Sequence, residues 1–380
     1  MNRDLILRVA GNQFRSVAAS AIEGRRITAD EALLLYEKAP LSLLALLASN
    51  MRERLNGKRV LYNINFHLEP TNICIYGCRF CSYHRERGDE GSWDYSTEQM
   101  LEMVRNHASR PVTEIHITGG VHEGCDLRRW GDLIEKIGLE IPSIHIKAFS
   151  AVEIDYMAES YSRPPGYVLQ YLKERGLSSL PGGGAEIFDS QIRELIAPKK
   201  PSAERWLEIH RIAHALSLPS NATMLYGHVE KYRHRVDHML RIRDLQDETG
   251  GFLSFIPLKY RSANNLMKDT GEVPLTEDLR NYAVARLFLD NIRHLKAYWP
   301  MLGKESAASA LSFGVDDIDG TIEESTSIYR MAGNRERAAM SVEELRELIT
   351  SARYEPAERD SLYNIVNREP LSPGSSSHPT

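Results

Sequence analysis

The sequence has few cysteines, only four in 380 residues. That is too few for a disulfide-stapled scaffold, so we expect a protein of a reducing compartment such as the cytoplasm. One of them, Cys125, stands alone and is predicted to pack as a small apolar residue. Long apolar runs are also missing, because LSLLALLA at 41–48 is far shorter than the roughly 20 residues of a membrane-spanning helix. The first residues lack the apolar stretch of a signal peptide.

The chain also lacks a strong excess of one charge. Its 47 basic residues face 52 acidic ones, which gives a net charge of −5. A basic surface for nucleic acid or anionic lipid is therefore not expected, and we predict neither a nucleic-acid nor a membrane partner. Hydrophobic residues make up 42% of the chain and charged residues 26%, the balance of a folded globular protein.

Short apolar segments alternate with amphipathic ones from about Leu61 onward. This pattern is typical of strands that are each followed by a helix. Eight such strands over about 250 residues predict an α/β protein with a (β/α)8 barrel of the TIM type, and an open doubly wound sheet is the alternative. The strand candidates are LYNINFHLE, TEIHITGG, SIHIKAFS, SLPGGGAEI, SNATMLYG, GFLSFIPLK, RHLKAYWPM and ASALSFG.

Four segments organise the chain. Residues 1–58 are predicted as an N-terminal helical segment, in which TADE at 28–31 has the spacing of a helix capping box. Residues 59–335 are predicted to form the barrel, and residues 336–368 a C-terminal helical extension. Residues 369–380 are rich in proline, serine and glycine, which predicts a disordered tail.

The remaining cysteines, Cys74, Cys78 and Cys81, form a C-x3-C-x2-C pattern directly after the first predicted strand. A structural zinc site normally has four protein ligands, so His67 or His84 would have to complete it, and no second cysteine pair exists. A [4Fe–4S] cluster with one iron free of protein ligands needs only three thiolates. The free iron can then bind a small molecule.

This cysteine pattern resembles the signature of the radical S-adenosylmethionine (SAM) superfamily, C-x3-C-x-φ-C, in which φ is aromatic and is Phe80 here. The resemblance implies that Cys74, Cys78 and Cys81 hold a [4Fe–4S] cluster whose unique iron binds SAM. It also implies that an electron, from a donor such as ferredoxin or flavodoxin, cleaves SAM to methionine and a 5′-deoxyadenosyl radical. The protein would bind, orient and shield these groups, since the cofactors supply the chemistry.

The resemblance extends to the strand ends that would hold SAM. ITGG matches the family's glycine motif, whose bare backbone binds the amino group of SAM, although an ordinary strand-ending turn is the alternative. TMLYGHVE matches the adenine-packing motif G-x-I-x-G-x-x-E, except that Thr223 replaces the first glycine. The expected cofactor-binding residues are Phe80, Gly119, Gly120, Ser150, Glu153, Glu186, Thr223, Leu225 and Gly227.

A closer similarity is to the subgroup that contains aminofutalosine synthases, cyclic dehypoxanthinylfutalosine synthases and deazaflavin-cofactor synthases. EPTNIC…GCRFCSY, GGGAEI and DDIDGT are its shared marks, and the similarity covers roughly residues 61–333. The stretches IKAFSAVEI, GGGAEIFD and SNATMLYGHVE favour the aminofutalosine synthases. The other two activities of the subgroup, and a zinc-stabilised binding protein, are the alternatives.

Membership in the aminofutalosine synthases implies a transferase of menaquinone biosynthesis by the futalosine route. Its substrate would be the aryl enol ether 3-[(1-carboxyvinyl)oxy]benzoate. SAM would be consumed as a co-substrate, because the 5′-deoxyadenosyl radical adds to the vinyl group. The implied products are 6-amino-6-deoxyfutalosine, methionine and bicarbonate.

The implied substrate carries two carboxylates, so its pocket needs cations or amide donors. His67 and Arg261 are the expected catalytic residues, although a packing histidine and a surface arginine are the alternatives. A calcium site in DDIDGT is not expected, because the twelve-residue loop pattern is absent. The expected substrate-binding residues are Lys147, Asn264, Asn265, Asp316 and Asp319.

Overall fold

Parallel strands form the centre of the molecule. The computed structural model describes residues 3–324, 328–334 and 339–367. All pairings between the strands of these ranges are parallel. The strands are β1 (Arg59–Asn63), β2 (Asn65–Leu68), β3 (Glu114–Ile117), β4 (His145–Ala148), β5 (Leu177–Ser179), β6 (Ser220–Tyr226), β7 (Phe252–Lys259), β8 (His294–Leu295), β9 (Asp317–Gly320), β10 (Glu323–Glu324) and β11 (Glu355–Glu358).

The strands close into a ring. β1 and β2 are two halves of one interrupted strand, in which β1 pairs with β9 and β2 pairs with β3. The order then runs from β3 through β4 to β5, and from β6 through β7 to β8. Single bridges from Leu180 to Ser220 and from Lys296 to Asp317 join β5 to β6 and β8 to β9. The closed ring confirms the predicted (β/α)8 barrel and rules out the open doubly wound sheet.

Helices surround the ring and precede it. Thr28 and Glu31 make the two reciprocal hydrogen bonds of a capping box at the start of α2, which confirms that prediction. None of the described helices is both long and apolar enough to cross a membrane. The helices are α1 (Arg3–Glu23), α2 (Ala29–Lys38), α3 (Leu41–Asn56), α4 (Thr97–Arg105), α5 (Leu127–Glu140), α6 (Ala151–Ser160), α7 (Pro165–Lys173), α8 (Ser190–Ile196), α9 (Ala203–Ala215), α10 (Tyr232–Thr249), α11 (Leu275–Phe288), α12 (Trp299–Leu302), α13 (Lys304–Ala310), α14 (Ile328–Met331) and α15 (Val342–Ser351).

Alternation along the strands sends polar side chains into the ring. In β3, Glu114 and His116 line a central cavity, whereas Ile115 and Ile117 are fully buried in the apolar core. In β4, Lys147 lines the same cavity. A barrel interior is usually filled by branched apolar residues. The polar interior therefore leaves room for a ligand at the centre of this barrel.

Two sequence predictions of secondary structure are wrong. ASALSFG, at 308–314, is helical and not the last strand, because its first three residues end the alanine-rich helix α13 and the next three form a 3-10 turn. The last strand of the ring is β9. Its sequence, DIDG, lacks the run of apolar residues by which a strand is recognised. The strand expected in SLPGGGAEI lies mostly before it: β5 ends at Ser179, the first residue of this stretch, and the glycines that follow form a loop.

The C-terminal extension is only partly helical. After α15 the chain adds β11, which pairs with β1 from Arg59 opposite Glu355 to Tyr62 opposite Glu358. The boundary predicted at residue 335 and the predicted disordered tail at 369–380 both lie outside the described residues. Because β1 and β11 lie far apart in the sequence, local sequence patterns do not predict that they pair.

Candidate active site

The loop after β2 carries three cysteines at the carboxyl end of the barrel strands. Backbone hydrogen bonds hold this loop, such as those from the Cys74 N–H to the Arg85 oxygen at 3.2 Å and from the Cys81 N–H to the Cys78 oxygen at 3.0 Å. Cys74, Cys78 and Cys81 are free thiols that line one cavity of about 230 Å³. The structure therefore brings the three predicted ligands together.

The two histidines of the zinc alternative have other partners. His84 Nε2 lies 2.8 Å from the Cys74 carbonyl oxygen, and His67 Nδ1 lies 3.0 Å from the Tyr329 hydroxyl. Across the described residues, no three His, Cys, Asp or Glu side chains are arranged to hold a single metal ion. Three thiols spread around one cavity fit a larger cluster better than a lone zinc ion.

Burial in this cavity disfavours the charged thiolate form of the cysteines unless a metal neutralises that charge. Burial raises the pKa of Cys81 to about 12, and the neighbouring Cys78 adds to that shift. Burial also raises the pKa of Cys78, although Lys200 opposes it. Bound iron would displace these protons through its own positive charge. The donor set therefore fits an iron–sulfur cluster.

The glycine motif lies directly against the cluster loop. The Gly120 N–H donates to the Thr71 oxygen at 2.7 Å. A Cβ on Gly120 would lie 2.2 Å from the Ile73 carbonyl oxygen, and one on Gly119 would lie 2.8 Å from the Thr71 oxygen. Only glycine permits so close a backbone approach. Gly119 also lines the cavity of the cysteines.

We expect Gly120→Ala to displace the cluster loop, because its Cβ would overlap the Ile73 carbonyl. The free energy of unfolding should fall by about 1–3 kcal/mol, and iron content after reconstitution should fall with it. Gly138→Ala is the matched control, since nothing lies within 4 Å of its Cβ and it occupies α5. Urea unfolding and an iron assay measure both effects. Equal iron content in both variants would contradict the close packing.

Ser150 and Glu153 form a capping box at the start of α6. The Glu153 carboxylate accepts hydrogen bonds from the Ser150 N–H at 2.7 Å, from Ser150 Oγ at 2.7 Å and from Thr118 Oγ1 at 3.1 Å. Burial nevertheless raises the pKa of Glu153 to about 7. All three residues line the cysteine cavity. A direct contact of Ser150 or Glu153 with SAM stays a prediction.

Protonation of Glu153 is expected to make stability depend on pH. Its pKa rises from 4.5 to about 7 on folding, so the stabilisation by the bound proton is lost as the pH rises towards 7. Glu153→Gln keeps the shape of the neutral acid but cannot ionise. Relative to the wild type, the variant should gain up to about 3 kcal/mol of unfolding free energy between pH 5 and pH 8, as measured in urea. A difference independent of pH would contradict the raised pKa.

Lys200 is a site residue that the sequence analysis missed. Its Nζ atom lies 2.5 Å from Glu186 Oε1 and 5.5 Å from the centre of the Phe80 ring. Burial lowers the pKa of Lys200, but Cys78 and Glu186 outweigh burial and raise it. Lys200 therefore places a positive charge between the cluster loop and the glycine-rich GGGAEI loop. The ribose contact expected of Glu186 stays a prediction, and would share that carboxylate with Lys200.

The end of β6 faces the glycine-rich loop. Thr223, which replaces the first glycine of the family motif, donates from Oγ1 to the Gly182 oxygen at 2.6 Å. The Leu225 N–H donates to the Glu186 oxygen at 2.8 Å. Gly227 has a φ of +87° and donates its N–H to Glu230. The hydroxyl of Thr223 thus ties two site loops together, and adenine packing on this strand stays a prediction.

The central cavity, of about 180 Å³, lies next to the cysteine cavity. His67, His116 and Lys147 are partners in register across β2, β3 and β4, so their side chains form one row inside the ring. The rings of His67 and His116 meet edge to face, with 4.7 Å between centres. Burial lowers the pKa of His67 to about 4 and that of His116 well below its ordinary value. Both imidazoles are therefore neutral near pH 7.

The two histidines each keep one nitrogen for a ligand. His67 Nε2 and His116 Nε2 are buried and have no hydrogen-bond partner in the part of the chain that the structure describes. Buried polar atoms in folded proteins almost always have a partner. The pair is therefore expected to bind a polar group inside the cavity.

Two buried ion pairs complete the polar lining. Lys147 Nζ lies 2.6 Å from Glu114 Oε2, and Lys296 Nζ lies 3.1 Å from Asp319 Oδ1. Burial lowers the pKa of Lys147, although Glu114 opposes that shift. Each ammonium group uses one of its three N–H donors on its carboxylate partner. The remaining donors are available to a ligand in the cavity.

Arg359, which follows β11, positions Asp319 through Asp317. Its Nε atom donates to Asp317 Oδ2 at 2.7 Å, and Asp317 Oδ1 accepts the Asp319 N–H at 2.6 Å. Asp319 has a φ of +65°, a conformation that a non-glycine residue adopts only when its surroundings hold it. The C-terminal segment therefore sets the place of the Asp319 carboxylate beside Lys296.

Arg261 lies at the rim and not in the central cavity. It lines a cavity of about 220 Å³ that Leu225 and Tyr298 also line. Its Nη1 atom lies 3.4 Å from the Met301 oxygen, and its Nε atom lies 3.4 Å from Glu272. Because Tyr298 lines both the rim and the central cavity, Arg261 stands at the entrance to the barrel interior.

Three predicted substrate-binding residues are held by other contacts. Asp316 bonds to Arg286 and, at 2.6 Å, to His294 Nδ1, at the end of the barrel where β8 begins. Asn264 is exposed and donates to the Met331 oxygen at 2.8 Å. Asn265 donates to the Arg261 oxygen at 2.8 Å. The structure thus separates these residues from Lys147 and Asp319, which it does bring together.

Several cavity residues were not singled out from the sequence. Their signal was the alternation of polar and apolar residues within TEIHITGG, SNATMLYG and RHLKAYWPM. In a barrel the same alternation directs every second side chain inward. The missed residues are Glu114, His116, Asn221, Lys296 and Tyr298.

Comparisons with known proteins agree with this geometry. The model of the radical SAM superfamily matches residues 68–242, and that of the CofH/MqnC C-terminal region matches residues 249–370. The aminodeoxyfutalosine synthase of Thermus thermophilus is 43% identical over 92% of this chain and 95% of its own length. That of Streptomyces coelicolor is 36% identical over 93% and 94%.

A relative that carries another name has a similar sequence identity to this chain. The 5-amino-6-(D-ribitylamino)uracil–L-tyrosine 4-hydroxyphenyl transferase of Methanothermobacter thermautotrophicus is 36% identical over 90% of this chain and 94% of its own. Among solved structures, methylornithine synthase (PylB) has a TM-score of 0.71 at 14% identity, over 90% of this chain and 97% of that one. The hydrogenase maturase HydG of Carboxydothermus hydrogenoformans has a TM-score of 0.71 at 15% identity, over 95% and 83%. These structures show the shared barrel fold.

The fold, the three-cysteine loop and the extent of the sequence identity lead to one conclusion. The chain belongs to the radical SAM superfamily, and within it is an enzyme of the aminofutalosine synthase type.

Proposed function

We propose that the protein transfers the 5′-deoxyadenosyl group of SAM to 3-[(1-carboxyvinyl)oxy]benzoate and so makes 6-amino-6-deoxyfutalosine in menaquinone biosynthesis. Methionine and bicarbonate are the co-products. The observation that carries this proposal is the adjacency of two cavities. Thr118 and Gly183 line both the cysteine cavity and the polar central cavity. A carbon radical formed beside the cysteines would thus reach a substrate inside the barrel without passing through bulk water.

Cys74, Cys78 and Cys81 would hold the [4Fe–4S] cluster, and the backbone carbonyl of Gly119 would receive the amino group of SAM. Bound together, cluster and SAM supply the one-electron cleavage that yields the 5′-deoxyadenosyl radical. Lys200 neutralises part of the negative charge that three thiolates bring into a buried cavity. The chain's own task here is to hold these groups in place and to keep water away.

The central cavity offers what a dicarboxylate needs. Lys147 and Lys296 are fixed ammonium groups with N–H donors to spare, and His67 and His116 are neutral imidazoles with a free Nε2. Hydrogen bonds from charged donors to carboxylates are roughly twice as strong as neutral ones. Each lysine is fixed by its own carboxylate, Lys147 by Glu114 and Lys296 by Asp319, and we assign one substrate carboxylate to each lysine.

Two tyrosines separate the rim from the barrel interior. The hydroxyls of Tyr298 and Tyr329 are hydrogen-bonded to each other, and Tyr329 also contacts His67. Arg261 lies on the rim side of this pair. We assign Arg261 to the capture of the anionic substrate at the entrance, and the tyrosine pair to the exclusion of water while the radical exists.

Substrate selection tests this proposal. Anaerobically reconstituted protein with SAM and dithionite is given either the enol ether or tyrosine with 5-amino-6-(D-ribitylamino)uracil, the pair named in the archaeal relatives. We expect only the enol ether to yield a coupled product in mass spectrometry. A product from the tyrosine mixture, with none from the enol ether, would reassign the enzyme to the deazaflavin branch.

A further inference from the structure

The hydroxyls of two tyrosines and the ring of one histidine form a hydrogen-bonded chain at the border of the central cavity. The Tyr298 and Tyr329 hydroxyls are hydrogen-bonded to each other, and His67 Nδ1 lies 3.0 Å from the Tyr329 hydroxyl. The Tyr298 and His67 rings are nearly parallel, with 6.4 Å between their centres. Both of these residues line the central cavity, so each end of the chain reaches the space of the substrate. We name these three residues the tyrosine–histidine chain.

The hydroxyls of this chain offer more than the exclusion of water. Two phenylalanines would fill nearly the same space, and they would avoid the cost of removing two hydroxyls from water. Here each hydroxyl has a partner within the chain, and hydrogen bonds in such a series strengthen one another. Tyr298 and Tyr329 can therefore pass a hydrogen atom between them, which two phenylalanines could not do.

The buried groups of the tyrosine–histidine chain are neutral near pH 7. Burial raises the pKa of Tyr329 well above its ordinary value, so its phenol keeps its hydrogen. Burial lowers the pKa of His67 to about 4, so its imidazole carries no charge. A phenol O–H bond is weaker than the C–H bond of a primary alkyl group, so a primary carbon radical takes a hydrogen atom from a phenol. The chain thus holds a hydrogen atom that a carbon radical in the cavity can take.

We propose that Tyr298 and Tyr329 form a reversible hydrogen-atom donor that quenches the 5′-deoxyadenosyl radical when the central cavity holds no substrate. The Tyr298 O–H bond breaks and a C–H bond forms at C5′, which gives 5′-deoxyadenosine and a tyrosyl radical. Tyr329 then passes its phenolic hydrogen atom to Tyr298, so the unpaired electron moves to the buried ring beside His67. An electron from a one-electron reductant, such as the dithionite of the assay, and a proton from water restore the phenol. The inference rests on the radical of the proposed function and not on the identity of the substrate.

Three other phenols and one thiol near the site are competing hydrogen-atom donors. Tyr76 and Tyr83 line the cysteine cavity, and Tyr260 lines the rim cavity. The buried thiol of Cys125 lies next to the glycine motif. Tyr298 differs from these four groups because it lines the central cavity and is hydrogen-bonded to a second phenol. A radical that enters an empty central cavity therefore meets the Tyr298 phenol there.

The isotope content of free 5′-deoxyadenosine tests the proposal. Reconstituted enzyme that has been equilibrated in D2O, so that phenols and thiols carry deuterium, is given SAM and dithionite without thiols and without the enol ether. We expect most of the 5′-deoxyadenosine from the wild type to contain one deuterium. Tyr298→Phe should lose most of that deuterium, because the radical then takes hydrogen from C–H bonds that do not exchange. Tyr83→Phe and Cys125→Ala are the matched controls and should keep the deuterium.

Electron paramagnetic resonance separates hydrogen-atom transfer from a role of the rings in packing alone. Wild-type samples frozen during the same reaction should contain a tyrosyl radical, whose signal narrows when the protein is made with ring-deuterated tyrosine. Tyr298→Phe should lack this signal. Tyr329→Phe should still place deuterium in 5′-deoxyadenosine but should give a shorter-lived radical, since the unpaired electron cannot move to the buried ring.

Deuterium that persists in the product of Tyr298→Phe would overturn the proposal, and so would 5′-deoxyadenosine without deuterium from the wild type. Loss of the deuterium in Tyr83→Phe or Cys125→Ala, with none in Tyr298→Phe, would assign the donor to that other residue. A wild-type protein that forms no methionine would reject the radical chemistry and this proposal with it. Because no substrate is present and the deuterium is counted per molecule of 5′-deoxyadenosine, a wrong substrate or a partly loaded cluster does not affect these outcomes.

Discussion

Cys78→Ala is expected to reduce SAM cleavage to the level of a protein-free control. Two thiolates remain, which is one fewer than a cluster with a single free iron requires. Iron and sulfide contents and the visible absorbance of the reconstituted protein should fall together with the activity. The folded barrel should persist, because the loop that carries Cys78 lies outside the ring of strands.

Cys125→Ala is the matched control for this experiment. Cys125 is also a buried free cysteine, and its Sγ atom lies 3.6 Å from the Gly120 oxygen, next to the same loop. It makes no contribution to the ligand set, so the variant should keep its iron and its activity. If the Cys125 variant lost iron as Cys78→Ala does, or if Cys78→Ala kept a full cluster, the assignment of the three ligands would be wrong.

Lys147→Met is expected to have the second large effect, because it leaves the buried Glu114 carboxylate without its cation. Removing one partner of a buried ion pair costs about 3–5 kcal/mol of unfolding free energy. The double variant Lys147→Met with Glu114→Gln should regain most of that stability, since no unpaired charge remains. Its KM for the enol ether should nevertheless stay roughly 10- to 100-fold above the wild-type value, as for the loss of one charged hydrogen bond.

Comparing the single and the double variant separates folding from substrate binding. Urea unfolding gives the stability of each, and steady-state kinetics with the enol ether give KM and kcat. Lys38→Met on the exposed face of α2 is the control and should change neither. A double variant with a wild-type KM would show that Lys147 only balances Glu114 and does not touch the substrate.

Local patterns were enough to predict the cluster loop and most of the barrel. Cysteine spacing is a covalent feature of the chain, so Cys74, Cys78 and Cys81 converge because one short loop carries them. Helices with an apolar stripe were recognised from their period, as in α9 and α10. β9 was missed because two of its four residues, Asp317 and Asp319, are acidic and its sequence shows no apolar run.

Features that depend on distant parts of the chain were not visible in the sequence. His116 and Lys296 are separated by most of the barrel, and only closure of the ring places both in one cavity. Asp316 and Asp319 are close in DDIDGT but lie in different surroundings, because Asp316 precedes β9 and Asp319 lies within it. The role of Arg359 depends on the return of the C-terminus to β1, which no local pattern indicates.

The polar barrel interior is where we expect substrate selection to take place. The loops that would hold the cluster and SAM lie at one end of the ring, whereas the central cavity is lined by strand residues such as His116, Lys147 and Lys296. We expect changes at these inward positions to alter the choice of substrate without disturbing the cluster loop.

The central claim is that SAM is consumed as a reactant, and the ratio of two products tests it most directly. Reconstituted enzyme with dithionite, SAM and 3-[(1-carboxyvinyl)oxy]benzoate is analysed by mass spectrometry for methionine, for free 5′-deoxyadenosine and for a product that contains both adenosine and the arene. We predict one molecule of the coupled product for each methionine. One free 5′-deoxyadenosine for each methionine, with no coupled product, would contradict the account and indicate a hydrogen-abstracting enzyme.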